Sequence, residues 1–193
     1  MTRRRATVRR RLLVLLLSPG GLSLCAGSAG AQPLLPAVVD TIAFDFLGFR
    51  PGLSLDALRE HATHAGRGAL TCQRATADLR LADCRASLPE LDTGRSVDLW
   101  ASLIDGHAAI TTLSGRLTDA RFARWRELLE GRYGPTAEIR RGPMRMLQWV
   151  RAGRMLRLSW RPKGRDVEAS VSLIDGPLLD GWANVGKRPT ASQ

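Results

Sequence analysis

The pentapeptide Ser102-Leu103-Ile104-Asp105-Gly106 recurs unchanged as Ser172-Leu173-Ile174-Asp175-Gly176. An internal repeat constrains a chain more than any other pattern, because each unit buries its apolar face against its neighbour. The lead-in agrees in register, with Val97-Asp98 lying over Val167-Glu168. Each copy also comes after an amphipathic segment. The first opens at Ser54 as N-cap, sets Leu55, Leu58, Ala62 and Ala65 on one face, and stops at Gly66. Leu53 and Leu58 occupy the N′ and N4 positions of a hydrophobic staple. The second starts at Thr118 with Asp119 in its first turn, spaces Phe122, Trp125, Leu128 and Leu129 by three and four, and ends at Gly134-Pro135.

Short alternating segments come after each helix. Residues 69–74 and 79–87 read as strands about a turn near Ala77-Asp78, and 97–104 and 107–113 as a hairpin about Asp105-Gly106, a type I′ signal. After the second helix come 136–141, 144–151, 154–161 and 166–174, with turns at Ala152-Gly153 and Lys163-Gly164. Thr41–Phe46, alternating Ile42, Phe44 and Phe46, adds an N-terminal strand. The expected fold is α+β: a tandem repeat, about 40–116 and 117–182, of one helix followed by three or four antiparallel strands. Both helices cover one face of the sheet, and the other face is left open.

The chain's first 31 residues read as a cleaved signal. Arg3, Arg4, Arg5, Arg9, Arg10 and Arg11 precede an apolar run from Leu12 to Leu17, and Ala29-Gly30-Ala31 supplies a cleavage site before Gln32. Ser18-Pro19-Gly20-Gly21 interrupts the run well short of the ~20 residues that a spanning helix needs. Leu22-Ser23-Leu24-Cys25 departs from a lipoprotein box at Leu24, where a small residue belongs, and Arg9-Arg10-Arg11-Leu12-Leu13 is loosely twin-arginine-like. The expected product is a periplasmic or secreted domain, 32–182, with no integral membrane segment and a disordered tail, 183–193. Six of the 29 basic residues and none of the 18 acidic ones leave with the signal, so the net charge falls from +11 to +5. Cys72 and Cys84 remain, and in an oxidising compartment an isolated pair is expected to be a disulfide.

Gly52-Leu53-Ser54-Leu55-Asp56-Ala57-Leu58 resembles the helix start of two groups of exported bacterial proteins. These are the secreted beta-lactamase inhibitor proteins and the small lipoprotein of the outer-membrane β-barrel assembly machinery. Tyr133-Gly134-Pro135 with Trp149-Val150 is similar to a second segment of theirs. The resemblance implies a non-catalytic, protein-binding scaffold; the missing lipobox argues against the lipoprotein's role.

Catalytic signatures are absent: no nucleophile elbow, zincin motif, Walker A loop or dinucleotide fingerprint occurs. His61 and His64 are spaced to share a metal, but no acidic residue completes a set, and a solvated helix face accounts for them. His107 sits at a hairpin edge, and Asp105 and Asp175 both precede Gly at turn positions. Trp100, Trp125, Trp149, Trp160 and Trp182 suit core packing more than a carbohydrate site. No cofactor or metal is expected.

Between Arg132 and Arg165 stand ten basic residues against Glu138 alone. Two readings stay open: a solvated face, or a surface for an anionic partner such as an acidic protein, lipid headgroups or an envelope polysaccharide. Arg151, Arg154, Arg157, Arg161 and Lys163 are the candidate binding face. The expected function is a non-enzymatic envelope protein that binds a protein or anionic partner through the open sheet face. The alternatives are a small envelope hydrolase and a carrier of an anionic small molecule. Nucleic acid is not an expected partner.

Overall fold

The computed structural model describes residues 43–66, 69–89 and 96–185. The signal segment, Gln32, Thr41 and Ile42 lie outside them. An irregular lead-in, Ala43–Ser54, precedes helix α1, Leu55–Gly66. Four strands come next: β1, Thr71–Arg74; β2, Leu81–Pro89; β3, Ser96–Ile104; and β4, His107–Leu117. Helix α2, Asp119–Tyr133, leads to β5, Ile139–Arg141, β6, Met144–Arg151, β7, Arg154–Lys163, and β8, Asp166–Asp175. Helix α3, Gly176–Val185, comes last.

These eight strands form one antiparallel sheet in the order β1-β2-β3-β4-β8-β7-β6-β5. Strand alternation sends successive side chains to opposite faces, and the register shows how the sequence uses this. Ala86, Leu99, Leu113, Val171, Leu158 and Leu147 stand side by side across six strands. Cys72, Cys84, Ala101, Thr111, Leu173, Leu156 and Trp149 form the neighbouring row across seven. Phe44, Phe46, Phe49, Leu58, Ala62, Trp125, Leu129 and Tyr133 complete the hydrophobic core with them. Edge-to-face contacts join Phe46 to Trp125 and Phe44 to Tyr133, at 5.0 and 5.3 Å between centroids.

The expected tandem repeat of helix-then-strands units, with the helices on one sheet face, is not what the chain builds. Strand dominates, the sheet is continuous through the β4–β8 seam, and the described residues include three helices. The two pentapeptides reach different settings. Asp105 and Gly106, at φ 48° and 78°, make the β3–β4 hairpin turn. Asp175 ends β8, and Gly176 opens α3, which packs against β3, β4 and β7. The residues just after each copy decide how it ends. His107-Ala108-Ala109 continues as strand, whereas Pro177-Leu178-Leu179 starts a helix: Pro is compatible with a first turn, and Asp175 caps it, accepting the Leu178 N–H at 3.2 Å.

Smaller differences have local causes. The expected N-terminal strand is only a bridge between Phe46 and Phe49, because Leu47 and Gly48 take positive φ, 54° and 86°, and turn the chain back. Ser54 does cap α1, accepting the Ala57 N–H at 3.3 Å, while Thr118 makes no side-chain cap on α2. Leu128 is half-exposed, and Tyr133 replaces it in the core. Helix α3 runs three residues into the expected tail; 186–193 lie outside the described residues.

Candidate functional site

The sheet face opposite the core carries a different chemistry. One row reads Ser87, Asp98, Ser114, Ser170, Ser159, Met146 and Ile139 across seven strands. The next reads Thr71, Arg85, Trp100, Thr112, Ser172, Arg157 and Gln148. Hydroxyls therefore occupy the middle, and Thr112 and Ser172 share a 3.0 Å hydrogen bond across the β4–β8 seam.

Towards the β1 edge this face becomes an open hollow of about 680 Å³ lined by Thr71, Arg85, Ser87, Asp98 and Trp100. A second hollow, about 630 Å³, shares Thr71 and Arg85 and adds Gln73, Arg74 and Asp83. Trp100 is 44% exposed, and Thr71, Gln73, Asp83, Arg85, Ser87 and Asp98 are exposed around it. The Ser102 hydroxyl donates to Asp83 Oδ1 at 2.6 Å. This is an indole platform ringed by donors and acceptors of both charges. Composition alone groups Trp100 with the core tryptophans, yet its strand carries the contrary signal. Val97, Leu99, Ala101 and Leu103 point to the core, so the intervening Trp100 must point away.

The five basic residues do not form one face. Arg157, Arg161 and Lys163 alternate onto the hydroxyl-bearing side, where Arg161 and Lys163 both bind Glu168 Oε2, at 2.8 and 3.2 Å. Arg161, and after it Lys163, hold the Glu168 carboxyl below its usual range by hydrogen bonding. Arg157 is half-buried, donating from Nη2 to Gln148 Oε1 at 3.1 Å. Arg151 and Arg154 flank the Ala152-Gly153 turn and by alternation belong to the other side. There Arg154 Nε donates to Asp175 Oδ2 at 2.8 Å, and Arg151 Nη2 to the Tyr133 carbonyl at 2.9 Å.

The histidines stand apart. His61 lies beside Phe49, His64 bonds the Glu60 carbonyl of its own helix, and His107 bonds the Asp105 carbonyl. Among the described residues no cluster of three or more His, Cys, Asp or Glu could hold a metal ion. Cys72 and Cys84 are disulfide-bonded as directly paired residues of β1 and β2. Trp125, Trp149 and Trp160 are buried, and Trp182 on α3 donates to Asp78 Oδ2 at 2.9 Å. Among the described residues no helix is long and apolar enough to cross a membrane. Compared with known protein families, with curated proteins and with solved structures, the chain matches none.

Proposed function

We propose that this chain is an exported, non-enzymatic protein of the bacterial envelope that binds a partner protein through the hydroxyl-bearing face of its sheet. The observation that carries this reading is Trp100, exposed on a strand and set in a hollow whose rim offers Arg85, Asp98, Thr71 and Ser87. An exposed indole among adaptable polar groups is the composition of protein-binding surfaces: the aromatic supplies contact area at low entropic cost, and the hydroxyls supply hydrogen bonds. Export is supported by the basic and apolar segment up to Ala31 and by the Cys72–Cys84 bond, which suits an oxidising compartment. The resemblance of the Gly52–Leu58 and Tyr133–Pro135 segments to exported inhibitor proteins points the same way. An anionic partner is the weaker version, since Arg161 and Lys163 already share Glu168.

The test is capture from envelope extract by the disulfide-bonded protein, at low and high salt, with site-specific cross-linking next to Trp100. Trp100→Ala should lose the captured protein, whereas Arg157→Ser with Arg161→Ser should keep most of it. Equal recovery by wild type and Trp100→Ala would overturn the proposal.

A further inference from the structure

A third cleft, away from the hydroxyl face, lies where the lead-in before α1 meets the β6–β7 hairpin. It encloses about 310 Å³ and is lined by Ala43, Phe44, Arg50, Pro51, Arg151, Ala152 and Arg154. Small-molecule sites begin at roughly this size, ~300 Å³. Three arginines converge on it, Arg50 from the lead-in and Arg151 with Arg154 from the two sides of the hairpin turn, and each is anchored from behind. Arg50 Nε donates to Asp45 Oδ2 at 3.0 Å, and Arg154 Nε to Asp175 Oδ2 at 2.8 Å. Arg151 is held by the Tyr133 carbonyl, with its guanidinium 5.8 Å from the Tyr133 ring centroid.

The anchoring atoms matter. Arg50 and Arg154 are tied through Nε, which leaves the two terminal amino groups of each guanidinium, the fork that grips oxyanions. The carboxylates behind them are occupied. Asp45 also receives Arg132 Nη1 at 3.2 Å and the Gly48 N–H at 3.4 Å, and Asp175 Oδ1 receives the Leu178 N–H. Asp45 is fixed further by Tyr133, whose hydroxyl accepts from the Asp45 N–H and donates to its carbonyl, at 2.7 and 2.8 Å. The three lining arginines exceed the two aspartates by one positive charge, and Arg132, bonded to Asp45 behind the lining, adds a second. Arg50 and Arg154 keep 61% and 46% of their side chains exposed, so a ligand can reach them. Phe44, Pro51, Ala43 and Ala152 supply an apolar wall.

We infer that this cleft binds a small dianionic oxyanion carried on a short apolar stem, either a phosphate monoester or a short dicarboxylate. Two uncompensated charges match a dianion, pre-positioned guanidinium forks match its oxygens, and a volume of about 310 Å³ suits a small ligand. The site is separate from the face proposed for protein binding and stands or falls without it.

The experiment titrates the disulfide-bonded protein with phenyl phosphate, succinate and uncharged phenol, following amide resonances and heat. Phenyl phosphate, succinate or both should bind saturably and shift the Ala152 and Gly153 amides, while phenol should not. Which of the two binds identifies the anion. Arg50→Gln should weaken binding about tenfold, as expected for losing one charge-assisted contact, with the melting temperature unchanged. Arg151→Gln should act in the same direction, and Arg157→Gln, on the opposite face, should change nothing. Absence of saturable binding by both anions, or equal affinity of wild type and Arg50→Gln, would overturn the assignment.

Discussion

Asp175 is 2% exposed, wedged between the Arg154 guanidinium and the first turn of α3, with Gly52 packed so close that a Cβ there would sit 3.0 Å from its Oδ2. Asp105 has the same three residues before it and lies at an exposed turn. Their substitutions should therefore differ. Asp175→Asn removes the charge from a buried, charge-assisted bond and should cost about 2 kcal/mol. Asp105→Asn keeps a residue that tolerates positive φ and should stay within about 0.5 kcal/mol. Urea unfolding of the two variants makes the comparison, and equal midpoints would show that the Arg154–Asp175 pair contributes nothing. The tryptophans divide likewise. Trp160 is 5% exposed, with its ring tilted against Phe122 at 5.1 Å between centroids and the Arg126 guanidinium over it. Trp160→Ala should destabilise by about 3–5 kcal/mol, whereas Trp100→Ala should leave stability within about 0.5 kcal/mol, so that any effect of the latter on binding is an effect on the surface.

At the scale of elements, the β1–β2 hairpin and α3 are each secured by a specific tie. The Cys72–Cys84 bond closes a loop with a sequence separation of 12, and Cys72→Ser should lower stability by about 3 kcal/mol in the chain-entropy account, read from denaturation with and without reductant. Helix α3 reaches the β1–β2 turn through Trp182 and Asp78. Bonds from Arg80, and then from Trp182, hold the Asp78 carboxyl well below the usual aspartate range. A lowered folded-state pKa means that the tie is fully present above the ordinary aspartate value, about 3.9, and is lost as pH falls through the depressed one. The Trp182 indole N–H resonance should therefore hold its position through the ordinary range and move only in stronger acid; a midpoint at the ordinary value would dissolve the tie. The strands were legible because Val97, Leu99, Ala101 and Leu103, like Val167, Ala169, Val171 and Leu173, alternate without interruption. Helix α3 was not, because Asp175-Gly176-Pro177 is as good a turn as it is a helix start, and only the Leu178 N–H shows which it becomes. The division of the basic residues was legible only in part: alternation along β7 sets Arg157 and Arg161 on one side and Arg154, with Leu156, Leu158 and Trp160, on the other. The pairing of Arg157 with Gln148 and of Arg161 with Glu168 is cross-strand information that strand periodicity does not carry.

For the whole molecule, the neighbours among the described strands fall into two classes. Six pairings join strands consecutive in the chain, and β4–β8 alone joins distant ones, from Ile110 opposite Ile174 to Leu117 opposite Val167. Local hairpins close cheaply and early, whereas a remote pairing waits on a long loop. During synthesis β1–β4 are complete before β8 exists, so the β4 edge stands open until β8 arrives. A strand edge does not distinguish its own partner from that of another copy, and reciprocal exchange would rebuild the same bonds between two chains. Refolding at high concentration should thus yield a dimer by size-exclusion chromatography that separates only on unfolding, while dilute refolding yields monomer; monomer alone at every concentration would show that the seam closes faster than chains meet. The hazard of mispairing in this chain is a matter of timing, set by how long one edge has to wait.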